Sequence, residues 1–138
     1  MKHEIEVKWM ENMAFKTDVL GHEIIMDAKE ENGGKNQGPP PKPLMLVSLA
    51  GCTGMDVISM LKKMRQDVES FELKIEGEVS DDHPKKYTRI KVIYLVKGKN
   101  IDKDKVEKAV NLSKDKYCGV SAVFKEAIDM EFEVKIID

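Results

Sequence analysis

The stretch PLMLVSLAGCTGMDVISMLKKM, from Pro43 to Met64, is the most apolar part of the chain, and it constrains the fold more than any other segment. Leu46, Leu49, Val57, Met60, Leu61 and Met64 recur at helical spacing, and apolar residues occur on most sides. A helix with that pattern is expected to be buried nearly all round. Pro43 suits its first turn, where the missing N–H costs nothing. With Lys62, Lys63 and several small or polar residues, the run is expected to fall short of the ~20 apolar residues that a membrane span needs. A small α+β domain has trouble covering such a helix alone. Part of its cover is therefore expected from a partner subunit, with a two-fold dimer as the default.

Around this helix the pattern is legible. HEIEVKW puts Ile5, Val7 and Trp9 on one face, a strand signature. MAFKTDVLG and HEIIMDA follow as two more strands with a turn at Gly21-His22. KEENGGKNQGPPPKP is a loop, and Pro39 to Pro41 favour an extended, stiff path into the helix. SFELKIEGEVS and YTRIKVIYLVKG read as a hairpin closed by DDHPKK. DKDKVEKAVNLSKDK is an amphipathic helix with an apolar stripe of Val106, Ala109, Val110 and Leu112, and Asp102 is its N-cap candidate. YCGVSAVFKEA reads as a short helix and DMEFEVKIID as a closing strand. The order βββ–α–ββ–α–α–β implies an α+β fold with helices against antiparallel sheet, in one domain over residues 1–138.

Composition narrows the function classes. With 23 basic and 25 acidic residues the net charge is −2, and no basic stripe alternates with aromatics, so no nucleic-acid partner is expected. MKHEIEVKW lacks the apolar region of a secretory signal, so the expected location is the cytoplasm, with no membrane partner and with reduced thiols. His3, His22 and His83 are scattered and read as surface residues, and the two cysteines form no CxxC pair; no metal site is expected.

The cysteines admit two readings. A free buried cysteine behaves as a small hydrophobe. Cys52, however, sits beside Gly51 and near Gly54, and each glycine weakens a helix by ~1 kcal/mol relative to alanine. The neighbouring Thr53 and Ser48 are candidate hydrogen-bond donors to a thiolate at Cys52. Cys118 falls where the short helix begins, and unpaired N–H groups there lower a thiol pKa. Two such thiols can act as a peroxidatic and resolving pair, passing through a sulfenic acid to a disulfide.

GPPPKPLMLVSLAGCTGMDVISMLKKM together with YCGVSAVFKEA resembles the OsmC/Ohr family, the osmotically induced and organic-hydroperoxide-resistance proteins. The resemblance covers nearly the whole chain. It implies an intertwined homodimer whose two long helices lie at the centre, wrapped by sheet on each side. It implies thiol-dependent reduction of organic hydroperoxides or hydrogen peroxide, with Cys52 peroxidatic and Cys118 resolving. It further implies an external dithiol as reductant and no metal, flavin or other cofactor. The chain departs from the family pattern in one respect. Pro43 stands where a glutamate opens the cysteine helix in a P-x-E-L setting, and no arginine precedes Arg65, so both members of the pair that steadies the thiolate are missing. Lys35 or Lys42 offers positive charge, but not a bidentate fork. That loss, with Met45, Met55, Met60 and Met64 clustered on the helix, also fits a non-enzymatic redox sensor or a binder of apolar ligands.

Overall fold

In the computed structural model, residues 1–137 are described, and the chain divides into two compact units, Met1–Met45 and Leu46–Asp138.

The first unit is a three-stranded antiparallel meander of β1 (Val7–Glu11), β2 (Ala14–Val19) and β3 (His22–Met26). Trp9 lies opposite Phe15, and Phe15 opposite Met26; Val7 pairs with Thr17, and Thr17 with Ile24. Alternation along the strands therefore gathers these residues on one face and leaves Lys8, Lys16, Asp18 and Glu23 on the other. Within the subunit that apolar face is largely bare, with Trp9 64% exposed. The β2–β3 turn is centred on Leu20 and Gly21, one residue earlier than the sequence suggests. Both have positive φ (50° and 87°), as a two-residue hairpin turn of the tight mirror-image type requires. The Asp18 carboxylate accepts the Gly21 N–H at 2.8 Å and closes it.

After β3 the chain winds round one buried carboxylate. Asp27 Oδ1 accepts the Ala28 N–H at 2.7 Å, and Oδ2 accepts those of Lys35 and Gln37 at 3.2 and 3.1 Å. Gly34 comes so close to the Ala28 carbonyl that any side chain there would collide with it. Burial pushes the Asp27 carboxyl up, but the three amides and the Lys35 charge outweigh it, and the pKa ends below its ordinary 3.8. The clamp is therefore complete above the ordinary carboxyl range and is lost as pH falls through the lowered value. Asp27→Asn should raise amide exchange at Lys35 and Gln37 about tenfold at neutral pH. Wild type should match the variant only in acid; equal exchange in both proteins at pH 7 would show that the charge holds nothing.

The second unit is built on helix α1 (Leu44–Lys63), which starts two residues before it. Leu49, Thr53, Val57 and Leu61, spaced four apart, are fully buried, with Gly54 beside them. The opposite side is open within the subunit: Val47 and Met55 are exposed, Met55 by 74%, and nothing lies within 4 Å of a Cβ built on Gly51. The expectation of a helix buried nearly all round is thus met on one stripe only. The expectation on bilayer length is corrected too, because Leu44–Lys63 is long and apolar enough by length and composition to cross a membrane, with a mean hydropathy of 1.8. Small residues such as Gly51 and Gly54 do not lower that mean as charges would.

The buried stripe packs on a sheet of β4 (Asp67–Val79), β5 (Tyr87–Lys99) and β6 (Asp129–Ile137), in the order β4-β5-β6. Ile90, Val92, Tyr94 and Val96 of the central strand are fully buried, as period-two alternation requires. β4 and β5 form the expected antiparallel hairpin, but β6 runs parallel to β5, pairing Arg89 with Asp129 through Lys97 with Ile137. The expectation of wholly antiparallel sheet fails here. Two helices intervene, α2 (Lys103–Leu112) and α3 (Gly119–Phe124), and they supply the long crossover that a parallel pair needs. Asp102 caps α2 as expected, accepting the Asp104 N–H at 3.0 Å. Val106, Ala109 and Val110 of α2 complete the core.

Candidate functional site

Two elements of the second unit bring the two cysteines together. Cys52 is half-buried in the middle of α1. Cys118 follows a single widened turn, Ser113–Tyr117, in which helix α2 ends in π form. The Cys118 N–H donates to the Ser113 carbonyl at 2.7 Å, five residues back, and the chain then becomes extended at Cys118 (φ −77°, ψ 103°). A π turn of this kind is uncommon and re-aims the residue that follows it. Here it turns Cys118 into the core, where it is 3% exposed and lies near enough to the Cys52 thiol to feel it electrostatically.

Cys118 also caps α3, as its position suggests: Sγ accepts the Ser121 N–H at 3.3 Å. The expected fall in its pKa does not follow. Burial pushes the Cys118 thiol up to about 11; the neighbouring Cys52 thiol adds to the rise, and the amides of Ser121 and Val120 only partly offset it. The reason is that α3 is one and a half turns long, so the field at its end is weak against the loss of water. At neutral pH Cys118 is a protonated thiol.

Sequence reasoning assigned Thr53 to Cys52, and the structure corrects this. Thr53 Oγ1 lies 2.7 Å from the Tyr94 hydroxyl and 2.8 Å from Ser113 Oγ, and Ser113 Oγ donates to Asp56 Oδ2 at 2.9 Å. Its hydroxyl is committed to that chain. The Tyr94 ring is stacked between Phe71 and Phe132, each 6.5 Å away between ring centres, which aims its hydroxyl at α1. Burial raises the Tyr94 pKa to about 12; the Thr53 hydrogen bond lowers it, and the nearby Cys118 and Asp56 raise it further. Tyr94, Ser113 and Asp56 went unnoticed in the sequence. The available signal was Thr53, a polar residue interrupting the stripe Leu49–Val57–Leu61, with Ser113 likewise prolonging the stripe of α2.

An open groove of about 590 Å³ borders the cluster, lined in part by Met55, Asp56, Met60, Met64, Leu112 and Tyr117. Of the two arginines, Arg89 is engaged with Glu131 (3.0 Å) and Asp129 (3.8 Å) across β5 and β6. Arg65 lies beyond the end of α1, about 20 Å along the helix from Cys52 at 1.5 Å per residue. Among the described residues no group of three or more His, Cys, Asp or Glu is arranged to hold a metal.

Sequence and fold comparisons agree with this architecture. The chain is 33% identical over 135 residues to protein YhfA of Escherichia coli K12, covering 97% of this chain and 98% of that one. A protein of Aquifex aeolicus has the same fold at a TM-score of 0.86 with 32% identity, covering 99% of this chain and 98% of the other. The organic hydroperoxide resistance protein OhrB of Bacillus subtilis shares the fold at a TM-score of 0.65 with 17% identity, over 98% of both chains. Residues 34–133 match the family of OsmC-like proteins, to which this chain belongs.

Proposed function

We propose that this protein is a thiol peroxidase that reduces organic hydroperoxides or hydrogen peroxide. The observation that carries the reading is that two thiols from distant parts of the chain are brought together at one cluster, near enough for one to shift the other's pKa. Membership of a family that includes proteins named for organic hydroperoxide resistance supports it.

The Cys52 thiolate attacks the terminal peroxide oxygen. The S–O bond forms as the O–O bond breaks, and the alcohol leaves with a proton, giving a Cys52 sulfenic acid. Cys118 then attacks the Cys52 sulfur; its proton and the sulfenic hydroxyl leave as water, and a disulfide remains. An external dithiol restores both thiols by exchange. The division of roles fits the environments, since Cys52 is reachable and Cys118 is buried and protonated. Stopped-flow consumption of an alkyl hydroperoxide by wild type and by Cys52→Ser tests the reading. Equal rates would end it.

A second reading is favoured by the arginines. Neither serves the thiols within its own chain, because Arg89 is held by two carboxylates and Arg65 is remote. A redox sensor or apolar-ligand binder would form the disulfide slowly and would not turn over with a dithiol, whereas a peroxidase would cycle.

The protein acts in the cytoplasm as a soluble homodimer in which the exposed side of α1 and the apolar face around Trp9 are covered by the second copy. Light scattering at micromolar concentration should give twice the subunit mass of 15.7 kDa. A folded monomer under those conditions would remove the dimer from the account.

A further inference from the structure

The buried chain of hydroxyls has one direction, and counting protons reveals it. A carboxylate only accepts, so Ser113 must spend its single O–H on Asp56, 2.9 Å away. Ser113 Oγ is then left as an acceptor and Thr53 must donate to it, across 2.8 Å. Thr53 in turn can only accept from Tyr94, across 2.7 Å. The order is Tyr94 to Thr53 to Ser113 to Asp56. Tyr94, Thr53 and Ser113 are wholly buried, while Asp56 reaches the groove. Each bond in the chain rests on the carboxylate at its end.

Ser113 is also the residue whose carbonyl accepts the Cys118 N–H and closes the π turn. One residue thus holds Cys118 through its main chain and α1 through its side chain. Its two contacts on α1, Thr53 and Asp56, belong to the segment that carries Cys52. We infer that Ser113, anchored by Asp56, is a positioning residue that fixes the π turn against α1 and so sets the distance at which the two thiols meet. Tyr94 lies at the far end of the chain and contributes to the core rather than to the clamp. With Tyr94 absent, Thr53 still donates to Ser113, and Ser113 still donates to Asp56.

The inference deepens the peroxidase reading but can be tested without it. The propensity of Cys52 and Cys118 to pair can be measured by equilibrating the protein with reduced and oxidised glutathione. That gives the effective concentration of one thiol at the other, and no peroxide is involved. Failure of peroxide turnover would therefore leave this measurement intact. Ser113→Ala should lower the effective concentration about tenfold or more, with the fold retained by circular dichroism. Asp56→Ala, at the groove, should act in the same direction and serves alone if Ser113→Ala does not fold. Tyr94→Phe should stay within about threefold of wild type. An unchanged value in Ser113→Ala, or in Asp56→Ala, overturns the clamp. So does an equal fall in Tyr94→Phe, because generic loosening of the core would then account for all three.

Discussion

One equivalent of an alkyl hydroperoxide should convert wild type to a form with no free thiol and an intrachain Cys52–Cys118 disulfide, while Cys52→Ser should react about a thousandfold or more slowly. The size follows from the remaining sulfur. With its pKa near 11, Cys118 is a thiolate in about one molecule in ten thousand at pH 7. Losing the neighbouring Cys52 thiol lowers that pKa somewhat, but burial, the larger cause, persists. The residual rate in Cys52→Ser should also climb about tenfold per pH unit toward that pKa, because the thiolate fraction does. Cys118→Ser should behave differently. Its first oxidation should proceed, trapping a Cys52 sulfenic acid that a dimedone probe labels and that further peroxide carries to the sulfinic state. Slow oxidation of equal rate in both single variants would mean two ordinary thiols in contact and no division of labour.

The second large effect concerns the sheet that supports the site. Gly98 lies opposite Val68 where the β4–β5 register shifts. A Cβ at Gly98 would run into the Asp67 carbonyl and come within 2.8 Å of Ile101 Cδ1. A main-chain carbonyl in a sheet cannot swing aside as a side chain can. Gly98→Ala should therefore cost about 3 kcal/mol, the upper end of what overpacking does. Urea unfolding of Gly98→Ala beside wild type measures the cost. Equal midpoints for Gly98→Ala and wild type would show that the sheet yields there.

What the sequence disclosed and what it hid divide along physical lines. The six strands and three α-helices were legible, because period-two and helical spacing are local properties of the chain; the 3-10 turn at Glu30–Asn32 and the π turn at Ser113–Tyr117 were not. The Asp102 cap was legible for the same reason. The parallel placement of β6 was not: a strand carries the same alternation whichever way its neighbour runs, and only the length of the crossover constrains the pairing. At the site, Cys52 and Cys118 stood out as the only two thiols, and the resemblance at YCGVSA marked the second. Their proximity could not be read, since 65 residues lie between them and a π turn carries the second into the core. The direction of the Cys118 shift was misjudged because position at a helix start is visible in sequence and burial is not. Tyr94, Ser113 and Asp56 stayed hidden for a related reason. Each is an ordinary residue in its own element, and they become a chain only when α1, β5 and α2 are brought together.

Trp9 is the one tryptophan in the sequence, and it sits in the N-terminal meander, its indole N–H donated to the Asn12 carbonyl at 2.8 Å. The two thiols belong to the other unit, where the aromatic groups are tyrosines and phenylalanines. Intrinsic emission excited at the red edge of the absorption band therefore comes from the meander alone, from a residue outside the unit that carries the thiols. The protein thus supplies one built-in fluorophore whose emission follows the unfolding of the meander by itself.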